Sequence, residues 1–161
     1  PKSKFIDNTY KYIPAPIKKG IFINTKFSAL YNLYENNSHQ EYIGFGLGPN
    51  LILGNLKNNA FDYTHLSILP FYKFKSGQSV FKHDQISDRF TVALKFAQHL
   101  LGPLHIETSG TINLDNEKKN YGEFIDSKIT LKWSKRTYKI AIFYQPSNES
   151  GGIIFSLFGF E

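Results

Sequence analysis

Long segments in which apolar and polar residues alternate dominate this sequence. Successive side chains of a β-strand point to opposite faces, so alternation indicates a half-buried strand, whereas an amphipathic helix repeats about every 3.6 residues. Ile21, Ile23 and Phe27 share one such face, and Asn24 and Ser28 share the other. No segment has the helical period. The chain is therefore predicted to be all-β.

Eight segments carry the alternation, and polar or glycine- and proline-containing stretches separate them. The predicted strands have approximate limits at residues 21–33, 41–54, 62–75, 89–101, 104–114, 122–134, 138–144 and 151–160.

The predicted strands are long for a globular protein. Most have about ten or more residues, whereas globular strands commonly have about five or six and a tilted transmembrane strand about 9–11. Longer polar loops alternate with tight turns, as in outer-membrane barrels, and the 55–60 connection is the exception. We expect one domain over residues 1–161, with residues 1–19 an irregular lead-in. Its predicted fold is an antiparallel up-and-down transmembrane β-barrel of about eight strands, either self-contained or an arc of a larger barrel.

Composition agrees with this fold and argues against some functions. Aromatic residues make up 16% of the chain, which suits strands and an aromatic girdle at a membrane interface. The net charge of +6 comes almost wholly from scattered lysines, a pattern that does not favour nucleic acid. Without an initiating methionine, the chain is expected to be a mature or truncated piece of a longer protein.

One face of the second predicted strand has almost no side chains, because Gly44, Gly46 and Gly48 alternate with apolar residues. Such glycines leave room inside a curved sheet or let another backbone approach. In the third predicted strand, Pro70 requires a position without a paired donor, or a bulge.

Catalytic motifs are missing from the sequence. It has no cysteine, no nucleophile elbow and no phosphate-binding glycine loop. The nearest approach to a catalytic or metal-binding set is His99, His105 and Glu107, which we interpret as polar lumen residues. We expect no enzyme, no metal site and no cofactor.

Several sequence motifs together resemble a known family. They include Asn59-Ala60-Phe61-Asp62-Tyr63-Thr64, Leu101-Gly102-Pro103-Leu104, Asn113-Leu114-Asp115, Tyr121-Gly122-Glu123, Lys135-Arg136-Thr137-Tyr138 and the loop Phe143-Tyr144-Gln145-Pro146-Ser147-Asn148-Glu149-Ser150-Gly151. Over about its last 100 residues the chain resembles the C-terminal barrel of the cyanobacterial LptD-like (OstA/Imp-type) lipopolysaccharide-assembly outer-membrane proteins.

The resemblance implies a barrel in the bacterial outer membrane that takes part in lipopolysaccharide or glycolipid transport and assembly. It also implies outer-membrane lipid, a periplasmic bridge and the barrel-assembly machinery as partners. The last strand, with Ile154, Phe158 and Phe160, would form one side of a lateral seam and be read during assembly.

Cations on the polar faces are the candidate contacts for a glycolipid headgroup, because they could attract phosphorylated sugars. The alternative is that they only hydrate the lumen. A different fold-level alternative is a soluble lipocalin-like barrel, in which the apolar faces point inward around an apolar ligand. The candidate headgroup residues are Lys26, Arg89, Lys95, Lys128 and Lys132.

Overall fold

A single antiparallel sheet forms the protein in the computed structural model, which describes residues 18–35, 37–55, 58–81, 88–135 and 137–157. Its eight strands follow one another in chain order across the sheet, so each strand pairs with its neighbours in sequence. The strands are β1 (Gly20–Leu33), β2 (His39–Gly54), β3 (Tyr63–Gly77), β4 (Phe90–Leu101), β5 (Leu104–Asn113), β6 (Phe124–Ser134), β7 (Tyr138–Gln145) and β8 (Ser150–Leu157).

The prediction of eight up-and-down antiparallel strands is confirmed. Within the described residues the sheet is open, because β1 and β8 are its two edges and do not pair with each other. Lengths of 14, 16 and 15 residues for β1, β2 and β3 exceed those of typical globular strands. Phe158 and Phe160 of the predicted terminal strand lie outside the described residues.

The side chains of each strand alternate between the two faces of the sheet, as the sequence predicts. The strand register places Phe27 opposite Phe45, Phe45 opposite Tyr72, and Leu131 opposite Ile142, so one apolar face continues across the sheet. Among Asp, Glu, Lys and Arg in the described strands, Glu41 alone lies on this apolar face.

Burial is distributed against the usual rule for a protein in water. Apolar-face side chains are widely exposed, with Phe27 at 72% and Ile153 at 72%. Apart from glycine, every buried residue in the described strands belongs to the polar face. The sheet therefore packs and encloses its polar side. These buried residues are Gln40, Ser67, Phe71, Thr91, His99, Asn113, Thr130 and Ala141.

Hydrogen bonds and packing also join side chains of different strands across the polar face. Asn24 on β1 donates from Nδ2 to Ser67 Oγ on β3 at 3.1 Å, spanning the glycine-rich strand between them. Over Gly44 and Gly46 lies the ring of Phe71, so close that a Cβ at Gly44 would overlap Phe71 Cζ. The glycines thus provide the space that the sequence predicts, and an aromatic ring fills it.

The connections lie at two ends of the sheet. Of the described residues in the connections, 34–35, 37–38, 78–81, 88–89, 114–123 and 146–149 lie at the loop end, and 55, 58–62, 102–103, 135 and 137 lie at the turn end. In the longer connection between β2 and β3, residues 58–62 pack on the β4–β5 turn, where Gly102 N donates to Asn59 O at 2.7 Å and Phe61 N donates to Leu100 O at 3.3 Å. Hydrogen bonds thus hold the one longer connection at the turn end against the neighbouring turn.

Candidate functional site: a lysine cavity on the polar face

Lysines gather on the polar face because they occupy alternate positions of neighbouring strands. In register, Ser67 is opposite Lys95, Lys95 is opposite Ser109, and Ser109 is opposite Lys128. Ser134 is opposite Lys139 on the next strand pair. The only acidic residues of the described strands on this face are Glu107 and Asp126. The lysines of the described strands on this face are Lys26, Lys73, Lys75, Lys95, Lys128, Lys132 and Lys139.

A cavity of about 530 Å³ opens on this face across β3 to β8. We call it the lysine cavity, because four lysines line it: Lys95, Lys128, Lys132 and Lys139. Among the described residues that line it, Glu107 is the one acidic residue. Pockets that hold small molecules commonly enclose about 300–1,000 Å³, so the space suffices for a ligand of that class.

The four ammonium groups have different surroundings. Lys132 Nζ forms an ion pair with Glu107 Oε2. Lys128 Nζ lies 4.6 Å from the centroid of the Phe143 ring, a cation–π contact. Lys95 and Lys139 have no ion-pair partner among the described residues. The cavity therefore holds more cationic charge than its own carboxylate neutralises.

Neutral polar groups accompany the lysines. Tyr63 and His65 line the cavity from β3, and Thr130 lines it from β6. His65 Nε2 is 2.7 Å from Asn50 Oδ1, which accepts its hydrogen and so fixes the ring. Hydroxyl and imidazole groups of this kind hydrogen-bond to sugars and other polyols.

Of the predicted headgroup residues, the structure brings three together, namely Lys95, Lys128 and Lys132. Lys26 lies elsewhere on the face, with its Nζ 4.7 Å from the centroid of the Phe71 ring. Arg89 is outside the strands and pairs with Glu117 at 2.9 Å.

Lys139 is a cavity residue that the sequence reasoning missed. The signal was present, because Lys139 is the polar position between Tyr138 and Ile140 in the seventh predicted strand. Ile154 of the predicted seam strand also lines the cavity.

Of the set His99, His105 and Glu107, the two histidines lie close together, with ring centroids 5.0 Å apart. His99 is fully buried, and its Nε2 lies 2.7 Å from the carbonyl oxygen of Gly102, to which it donates across the β4–β5 turn. Its Nδ1 has no hydrogen-bond partner among the described residues. Glu107 is instead engaged with Lys132. Within the described part of the chain, no group of three or more His, Asp or Glu could hold a metal ion.

A second polar cluster, the loop-end network, fixes the connection after β5. Asn113 is fully buried and donates from Nδ2 to Asp88 Oδ1 at 3.0 Å and to Asn120 Oδ1 at 2.9 Å. Asp115 accepts the backbone N–H groups of Arg89 at 2.9 Å and Glu117 at 3.2 Å.

These hydrogen bonds, first that from the Arg89 backbone, hold the pKa of the Asp115 carboxyl below its ordinary value despite its burial. The Asn113-Leu114-Asp115 motif is thus the centre of a network that ties the β5–β6 connection to the start of β4.

The fold and the cavity together define an all-β protein with one up-and-down antiparallel sheet, an exposed apolar face and a lysine-rich polar face. Residues 2–161 match the family model described as "Protein of unknown function (DUF3769)", and the chain belongs to that family. No curated protein and no solved structure matches the chain. No helix among the described residues is long and apolar enough to cross a membrane. The resemblance to LptD-like barrels stays a prediction.

Proposed function

We propose that this protein forms a wall of an outer-membrane β-barrel that takes part in lipopolysaccharide or glycolipid transport and assembly. The observation that carries the proposal is the distribution of burial, with an exposed apolar face and a buried polar face. In water, exposing so large a contiguous apolar surface is unfavourable. In a bilayer the same surface is solvated by lipid, and the polar face lines a wet lumen.

Aromatic residues near both ends of the apolar face support the proposal that this face lies in a membrane. Toward the loop end, Tyr72 contacts Phe74 and Phe90, with ring centroids 4.8 and 6.3 Å apart. Near the turn end, Tyr138 stacks on Phe155 with a centroid separation of 6.4 Å. Outer-membrane barrels carry aromatic girdles at both interfaces of their apolar band.

The open edges of the sheet bear on how such a wall would assemble. Unpaired backbone groups in hydrocarbon cost several kcal/mol each, so β1 and β8 must be paired in a bilayer. They would pair with each other, as a self-contained barrel, or with further strands of a larger one. A barrel of this kind would have the assembly machinery as a partner and would receive its glycolipid from a periplasmic bridge.

The test is refolding of the purified chain in detergent or lipid, read by heat-modifiable gel migration and protease protection. We expect a lipid-dependent, protease-resistant β-sheet form whose migration changes on boiling. A monomer that folds in plain buffer and takes up an apolar ligand would overturn the proposal and support the lipocalin-like alternative. The boiled, unfolded chain in the same detergent is the control for detergent effects on migration.

A further inference from the structure

We propose that the lysine cavity binds a phosphorylated sugar, either free or as the headgroup of a lipid. This inference deepens the proposed function, on which it rests in one respect: the polar face must be the wet side of the sheet. The phosphate would be held by the lysine ammonium groups and the sugar by the neutral polar groups beside them.

The excess of positive charge in the cavity favours a phosphate as ligand. Among the described residues, four lysines and one glutamate line the cavity, so this lining carries three more positive than negative charges. Ammonium groups held together on one wall repel one another, and a bound anion removes that repulsion. A phosphate also offers several acceptor oxygens for charge-assisted hydrogen bonds, which are the stronger kind. Lys95 and Lys139 are the lysines without an ion-pair partner among the described residues.

Size and polarity are the argument for a sugar. A cavity of about 530 Å³ is roomier than a lone phosphate requires. Tyr63, His65 and Thr130 add neutral donors and acceptors at its wall. Ala141 and Ile154 contribute an apolar part of the lining, against which a sugar ring can rest.

In the cavity, the carboxylate of Glu107 would compete with a phosphate for Lys132. A phosphate entering the cavity must share Lys132 with the carboxylate and tolerate the negative charge of Glu107. Removing that charge while keeping the shape of the side chain would free Lys132 for the ligand. Glu107→Gln is therefore expected to strengthen phosphate binding, an outcome that a merely structural ion pair does not predict.

The experiment is calorimetric titration of the refolded protein in detergent with glucose 6-phosphate, and with inorganic phosphate and glucose as references. We expect glucose 6-phosphate to bind more tightly than either reference. Lys95→Ala and Lys139→Ala should each weaken binding about tenfold, the loss of one charge-assisted hydrogen bond. Glu107→Gln should strengthen it several-fold, and Lys139→Arg should retain it.

Lys73→Ala is the matched control, because Lys73 lies on the same face but outside the cavity, with its Nζ 5.7 Å from the centroid of the Tyr42 ring. Equal weakening by Lys73→Ala and Lys139→Ala would overturn the inference, since it would reflect general attraction to a basic surface. Absence of binding by a protein that shows heat-modifiable folding would also overturn it.

Micelles that contain phosphatidylinositol 4-phosphate, a phosphorylated ring on a lipid, separate the two sources of the ligand. Binding to these micelles with little affinity for free glucose 6-phosphate would assign the site to a lipid headgroup, and the reverse would assign it to a free sugar phosphate. Different results would contradict the outer-membrane function and the phosphate site. A chain that folds in plain buffer and still binds glucose 6-phosphate would remove the outer-membrane function and leave the phosphate site.

Discussion

At the scale of single residues, the glycines of β2 show how a local choice shapes the polar face. Gly48 lies against the backbone of β3, and a Cβ there would overlap the carbonyl oxygen of Ile68 and stand 3.0 Å from Leu69 Cα. The β2–β3 ladder is interrupted nearby, between the pairs Gly46–Phe71 and Asn50–Ser67, without a change of register. Pro70 lies in this interruption, in agreement with its predicted need for an unpaired donor position.

Replacing Gly48 by alanine tests that close approach. The new methyl group would meet backbone, which cannot rotate away, so we expect Gly48→Ala to lower the free energy of unfolding by about 1–3 kcal/mol. Urea unfolding of the refolded protein, followed by far-UV circular dichroism, measures the change.

Gly152→Ala is the control for the loss of glycine itself, because its Cβ would meet only the Phe143 ring, at 3.1 Å, and that ring can turn. Equal stability of the Gly48→Ala variant and the unmodified protein would contradict the role assigned to this glycine.

At the scale of elements, the loop-end network decides how the β5–β6 connection is held. Asn113 ends β5 with its side chain fully buried, and Asp115 follows it in the chain. Asp115 N in turn donates to Asn113 Oδ1 at 2.8 Å, so the two side chains support each other. The connection is therefore anchored by hydrogen bonds to side chains and to backbone groups. We expect the carboxylate of Asp115 to make this anchoring pH-dependent.

We expect Asp115→Asn to lower the unfolding free energy at neutral pH and to reduce the dependence of that free energy on pH in acid. The folded-state pKa of Asp115 is lowered, so its contribution is fully present above the unfolded value near 4 and is lost as pH falls through the folded value. At pH 7 the variant should lose about 1–3 kcal/mol of unfolding free energy, because a charged acceptor of two backbone N–H groups is gone.

Unfolding free energies measured from pH 7 down to pH 2 provide the readout. Glu149→Gln, a carboxylate-to-amide change in the exposed β7–β8 connection, is the matched control and should leave the curve unchanged. An Asp115→Asn variant whose acid response parallels that of the unmodified protein would show that another group carries the pH dependence.

At the scale of the whole molecule, the two faces have opposite relations to solvent. Phe45 is 54% exposed in the middle of β2, on the apolar face, while Phe71 on the polar face is 6% exposed. A protein in water would reverse this arrangement. The outer-membrane proposal explains it with lipid on the apolar side and a hydrated lumen on the other.

Phe45→Lys distinguishes a lipid-facing position from a water-facing one. In water, a lysine at this exposed site would be tolerated, whereas near the middle of a bilayer it costs about 2–4 kcal/mol. We therefore expect Phe45→Lys to lower the unfolding free energy in lipid vesicles by that amount. Phe45→Leu, which stays apolar, and Thr111→Lys, on the polar face opposite Asp126, should cost much less. An unchanged unfolding free energy for Phe45→Lys in lipid vesicles would contradict the contact of this face with lipid.

By itself, the sequence determined the eight strands, their order and the division of side chains between two faces, because alternation and turn residues are local properties. Lys95 and Lys128 were identifiable as polar-face residues for this reason. The partners of those residues follow from strand register, which depends on pairing between distant segments. Only the tertiary structure placed Lys139 in the cavity with Lys132, joined Asn113 to Asp88 and laid Phe71 over the glycines of β2. It also decided which face is enclosed, since period two describes both faces equally and curvature arises only when neighbouring strands are packed side by side.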